Sequence, residues 1–132
     1  MADAAELMNR LAAALEGHDV DALAACWHPD VETTHVLRPD RSWQGRDFYR
    51  ETMARHVDSG SRGGVEVTDR GVGANGDRFF LETLTTHPDG TAVPCLCIYI
   101  LQDDMVRWAR VYTDKVQRDG HTMADWNAEH NA

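Results

Sequence analysis

The feature that most constrains this chain is a change of hydropathy period about half-way along it. Before Asp58 the apolar residues recur every three to four positions, and after Gly64 they alternate. A helix buries a stripe with a period of 3.6 residues, whereas a strand buries every second residue. The two halves must therefore fold as helices first and strands afterwards, which is an α+β order.

In the helical half, Ala4, Leu7, Met8, Leu11 and Leu15 form one stripe over residues 3–16, with Gly17 as its stop. Asp19 is placed to cap a second helix carrying Val20, Leu23, Ala24 and Trp27, closed by Pro29. Val31 to Leu37 is rich in β-branched residues and predicts a short strand, followed by the turn Arg38-Pro39-Asp40-Arg41. A third helix is expected from about Gly45, with Tyr49, Met53, His56 and Val57 on one face.

Four longer strands are expected at Val65–Val72, Arg78–His87, Ala92–Leu101 and Met105–Asp114. Pro88-Asp89-Gly90 and Gln102-Asp103-Asp104 supply the turns between the last three. Such a sheet hides one face only if something packs on it, and three amphipathic helices are available. The expected fold is a curved antiparallel sheet wrapped around three N-terminal helices.

A chain of 132 residues fits one domain and buries roughly 65–70% of its unfolded surface, enough for a core and an internal pocket. Twenty-two acidic residues against 13 Lys and Arg leave a net charge of −9. That excess repels phosphate backbones and anionic lipid, which argues against nucleic-acid and membrane partners. No run approaches the roughly 18 apolar residues of a membrane helix, and the first residues lack the basic and apolar regions of a leader, so a cytoplasmic location is expected.

Cys26, Cys95 and Cys97 match no zinc spacing, and Cys95 and Cys97 lie two apart on one strand face, a poor geometry for a disulfide. Buried thiols in a reducing compartment are the expectation. His-x-x-x-His, Cys-x-x-Cys, G-x-G-x-x-G and the P-loop are all missing, so neither a metal nor a nucleotide cofactor has support in the sequence.

The phrases Gly17-His18-Asp19-Val20-Asp21-Ala22-Leu23, Trp27-His28-Pro29-Asp30-Val31, Gln44-Gly45-Arg46-Asp47 and Trp108-Ala109-Arg110-Val111-Tyr112-Thr113-Asp114 resemble the nuclear-transport-factor-2-like superfamily. Within it they are most similar to SnoaL-like polyketide cyclases and limonene-epoxide hydrolases, over residues 5–116. The resemblance implies a cone-shaped α+β barrel, a deep pocket between helices and concave sheet, a small apolar ligand, and a homodimer formed through the sheet. The domain is placed at residues 1–116, with 117–132 as a polar tail that Met123 and Trp126 could dock.

The departures from those relatives are informative. Where both activities place an acid on the last strand, this chain has Val111, and only the second Asp of the pattern survives, as Asp114. No Arg stands in Phe79-Phe80-Leu81-Glu82-Thr83-Leu84, where the hydrolases carry theirs, so the Asp-Arg-Asp triad is absent. His35 occupies the position that the resemblance assigns to a polar pocket residue, a general base in the steroid isomerases. An imidazole suits that task because its ordinary pKa of about 6.5 lies near working pH.

Glu82 is either solvent-facing or a desolvated acid, depending on strand parity. Cys95, Cys97, Tyr99 and Leu101 share one face, as do Ala109, Val111 and Thr113, and the resemblance makes that face concave. Tyr99 is then a candidate hydrogen-bond donor to a developing oxyanion. The candidate catalytic set is His35, Glu82, Tyr99 and Asp114, and the candidate substrate wall is Trp27, Trp43, Met53, His56, Cys97 and Val111. Trp108, Tyr112 and Phe80 or Phe79 are expected on the convex face, where a second copy would cover them. The reading is a cofactor-independent acid-base enzyme, with a non-catalytic binding or dimerisation module as the alternative.

Overall fold

The computed structural model describes residues 3–37, 39–58 and 64–113. Asp3 accepts the Glu6 amide at 2.7 Å and so caps α1 (Ala4–Glu16), which buries Leu7, Met8, Leu11 and Leu15. Asp19 does the same for α2 (Val20–Ala25) through the Ala22 amide at 3.0 Å. Gly17 ends α1 in right-handed conformation, and the left-handed residue between the helices is His18, with φ 52°.

The helices are followed or interleaved by β1 (Trp27–His35), a short 3₁₀ turn at Pro39–Arg41, β2 (Trp43–Gln44) and α3 (Arg46–Asp58). Gly45 carries the chain into α3 at φ 97°, a conformation that favours glycine. The strands β3 (Gly64–Val72), β4 (Arg78–Thr86), β5 (Ala92–Gln102) and β6 (Met105–Tyr112) complete one curved, unclosed sheet in the order β2-β1-β6-β5-β4-β3. Asp103 and Asp104, both at positive φ, make the tight β5–β6 turn.

The α+β class and the sheet curved against three helices are as expected, and the sheet is larger than four strands. The segment around Pro29 is strand rather than helix end, and β1 pairs with β6 in parallel, so the sheet is mixed. Parallel pairing needs a long crossover, and the 69 residues between these strands supply it. Pro29 is tolerated because regular pairing is interrupted between Trp27 and Glu32, where its missing N–H leaves no ladder bond unmade.

Each central strand changes character along its concave face. Val31 gives way to Thr33 and His35 on β1, Phe79 and Leu81 to Thr83 on β4, Val106 to Ala109 and Val111 on β6. Strand β5 runs the other way, from Cys95 and Cys97 through Tyr99 to Leu101. A bulge between Ile100 and Leu101 shifts the register, which lets Val106 and Ala109, three residues apart, both face inward. Large aliphatic groups therefore meet α1 and α2 at one end, and small or polar groups line the other.

Candidate active site

At that second end lies a cavity of about 140 Å³ between α1, α3 and the concave sheet. Its floor follows from the register. His35 on β1 stands opposite Val111 on β6, which stands opposite Cys97 on β5, and Thr33, Ala109 and Tyr99 form the next row. Helix α3 closes the top with Tyr49, Thr52 and Met53, and Trp27 and Trp43 wall the side. The rings form a chain of contacts: Trp43 stacks on Tyr49 at 5.3 Å, Tyr49 meets Trp27 edge-on at 4.6 Å, and Trp27 meets Tyr99 at 5.6 Å.

Burial favours the neutral forms of His35 and Tyr99. Burial lowers the pKa of His35, so the unprotonated imidazole is favoured, and the Ser42 hydroxyl fixes the strand by accepting the His35 backbone N–H at 3.1 Å. Burial, with the neighbouring Cys97 thiol and Tyr49 phenol, pushes Tyr99 well above the ordinary phenol value, so its hydroxyl keeps its proton. The Cys95 and Cys97 sulfurs lie 3.7 Å apart without a disulfide. Cys26 is instead in the core behind α2, where its thiol donates to the Ala22 carbonyl.

The cavity brings together His35, Tyr99, Trp27, Trp43, Met53, Cys97 and Val111. Glu82 is a correction: its neighbours Leu81 and Thr83 are buried, so strand alternation puts Glu82 on the outer face, exposed and accepting the Thr68 hydroxyl at 2.7 Å. Asp114 and the tail 117–132 lie outside the described residues, and of His56 only the backbone on α3 is described. Among the described residues, no carboxylate lines the cavity and no group of three His, Cys, Asp or Glu is placed to hold a metal ion.

Two wall residues were not singled out in the sequence, Thr33 and Thr52. Both were within reach of the same periodicities: Thr33 shares parity with His35, and Thr52 falls at i+3 from Tyr49 on the α3 stripe. A broader groove of about 510 Å³ lies open to solvent between α1 and α2, lined among the described residues by Arg10, Asp19, alanines and Gly17.

A curved sheet folded over three helices around an internal pocket is the nuclear-transport-factor-2-like, ketosteroid-isomerase-like architecture. Residues 8–111 match the SnoaL-like domain, and the chain belongs to that family. No curated protein sequence matches it. Among solved structures it is similar to an LEH-like epoxide hydrolase of M. tuberculosis, at 19% identity and TM-score 0.68 over 84% of this chain and 82% of that one. It is also similar to a protein with a ketosteroid isomerase-like fold from Catenulispora acidiphila DSM 44928 in complex with trimethylamine (18% identity, TM-score 0.67, 92% and 96% covered). An NTF-2 like protein of unknown function from Burkholderia xenovorans LB400 aligns at 18% identity and TM-score 0.70 over 95% and 90%. These likenesses carry the fold.

Proposed function

We propose that the chain is a cofactor-independent acid-base enzyme acting on a small, mostly apolar molecule, with His35 as its base. The observation that carries this is a buried imidazole on the wall of an aromatic cavity that has no carboxylate among its described lining residues, burial favouring the neutral ring. With Val111 where the relatives hold an acid, proton abstraction from carbon or from water falls to His35. Tyr99, which burial keeps protonated, stands opposite Ala109 in the row next to that of His35 and would donate to an oxygen on which charge develops. Isomerisation, dehydration, cyclisation and hydrolysis are the reaction classes that a base and a donor so arranged would serve.

The test is turnover of a panel of ketones, epoxides and lactones of one ring. His35→Ala should lower the rate by about 100- to 10,000-fold, the usual worth of a positioned base. The wild-type rate should rise with pH through a midpoint below the ordinary histidine value and then stay flat. Full turnover by His35→Ala would remove the base assignment. The second reading, a non-catalytic binding module, is favoured by one observation: the cavity is smaller than the roughly 300 Å³ at which ligand pockets usually begin.

We also propose a homodimer through the outer sheet face. Trp108 and Leu96 are exposed there, Phe80, Ile98, Ile100 and Tyr112 are half-buried, and the buried Nε of Arg110 has no partner among the described residues. Phe79, by contrast, is fully buried on the inner face against Tyr99. Light scattering should give about twice the 14.8 kDa chain mass, and the mass of one chain would refute the dimer. Among the described residues no helix is long and apolar enough to cross a membrane.

A further inference from the structure

Side chains two apart on a strand point the same way, and a rise of about 3.2–3.4 Å per residue sets their Cα atoms about 6.4–6.8 Å apart. That is the upper edge of the roughly 4.4–6.8 Å over which a disulfide usually closes, so a direct S–S bond is disfavoured. Cys95 and Cys97 on β5 are such a pair, and their sulfurs meet at 3.7 Å. That gap is too wide for one bond and suits one bridging atom. Sulfur bonds of about 2.3 Å, the length zinc makes to thiolate, span it only when the bridging centre is bent to roughly 107°. A linear centre would need sulfurs about 4.6 Å apart.

The place of the pair decides what reaches it. On the inner face of β5, Val93 and Tyr99 are buried, and between them Cys95 and Cys97 are only half-buried. Both line the cavity. A cysteine side chain is one carbon and one sulfur, so on that face the thiol end meets the open volume.

Among the described residues no third His, Cys, Asp or Glu joins the pair to hold a metal ion. A bent, thiophilic centre must therefore bring its third bond with it. The wall around the pair is largely aromatic and aliphatic, with Trp27, Trp43, Met53 and Val111, so a third bond to carbon fits it. Trivalent arsenic bearing one carbon group meets each of these requirements. Size limits that group to one ring, because a cavity of about 140 Å³ is close to the roughly 150 Å³ that accommodates benzene.

We propose that Cys95 and Cys97 form a dithiol site that captures a monosubstituted trivalent arsenical, R–As(OH)2, with R a methyl or single-ring group lying in the cavity. Two As–S bonds form and two As–O bonds break, and the two thiol protons leave with the hydroxides as two molecules of water. Arsenic stays trivalent, and nothing is oxidised or reduced. The site shares the cavity of the acid-base reading and does not depend on His35.

The probe is phenylarsine oxide, which is dihydroxylated in water, added to the full chain kept reduced. Intact-mass spectrometry should show one phenylarsenic group per chain, and digestion should place it on the peptide that holds both Cys95 and Cys97. Excess 2-mercaptoethanol should leave the adduct in place and 2,3-dimercaptopropanol should strip it, as a two-sulfur bridge requires. Cys95→Ser and Cys97→Ser should each weaken capture by about 100-fold or more, the usual gain when a second attachment becomes intramolecular. Cys26→Ala, which removes the thiol behind α2, should leave capture unchanged. A biphenyl arsenical should bind at least about ten-fold more weakly than the phenyl one, because its second ring exceeds the cavity.

The mapping and the reversal use the parent protein and decide the matter even if a serine variant fails to fold. A label on Cys26, an adduct that 2-mercaptoethanol removes, or serine variants that bind like the parent would overturn the dithiol site. Equal binding of the phenyl and biphenyl probes would put the ring outside the cavity and overturn that part of the proposal. Cadmium ion held more tightly than phenylarsine oxide would overturn the choice of an arsenical over a metal ion.

Discussion

The two ends of the concave sheet are built from the same strands and differ in what those strands present. At one end Leu7, Leu11, Leu23, Val31 and Val106 are at zero exposure. At the other, His35, Thr33, Thr52, Cys97 and Val111 surround open volume. The first end supplies stability, since each fully buried large aliphatic or aromatic side chain contributes roughly 1.5–3 kcal/mol. The second gives some of it up: Trp27, Thr33 and Thr52 each bury a polar atom that has no partner among the described residues, around a cavity that side chains do not fill. The comparison teaches that one sheet can hold a site rigidly if its packed end does the folding, so substitutions at the two ends should report on different quantities.

The largest effect belongs to the packed end. Leu23→Ala, at 0% exposure, should cost about 2–5 kcal/mol in denaturant unfolding. A cost below about 1 kcal/mol would mean that the division between the ends is wrong.

Val111→Asp at the cavity end should cost about 1–3 kcal/mol, because it places a carboxylate where desolvation raises its pKa. A melting temperature within a degree of the parent would take Val111 out of the cavity.

The pH dependence is smaller still and has a definite sign. The folded pKa of His35 is lowered by burial, so as pH falls the unfolded chain takes up this proton first. The His35 contribution is fully present above about pH 6.5 and is lost as pH drops below it. His35→Gln should therefore lose less stability between pH 7 and pH 5 than the parent does, in thermal melts at the two values. An unchanged pH slope would put His35 in solvent.

Glu82→Gln, on the outer face, should change stability by no more than about 0.5 kcal/mol and leave turnover of the panel as it is. Loss of turnover would move Glu82 back into the site.

The helices, the long strands and the face shared by Cys97, Tyr99, Ala109 and Val111 were legible because each rests on a sustained period and on side-chain alternation. Strand β1 was half hidden: a Trp-His-Pro-Asp stretch has neither period, and its partner β6 lies seventy residues away, a pairing that local pattern cannot register. Glu82 was ambiguous for a simpler reason, since one residue of slip exchanges the two faces of a strand. Thr33 and Thr52 escaped notice because a threonine in a strand or helix stripe looks like filler until its hydroxyl is seen to lack a partner. The recognition of the family carried the concavity, and the departure at Val111 pointed to His35.

The claim on which the account rests is that His35 is a neutral base at the wall of a ligand cavity. The most direct measurement is the NMR titration of the His35 imidazole, in the protein alone and saturated with a one-ring ketone of the panel. The account predicts a midpoint below about 6.5 in the ligand-free protein and a clear displacement of the His35 signals on binding, with exposed histidines unmoved. A midpoint at or above that value, or His35 signals indifferent to a bound ring, would contradict it.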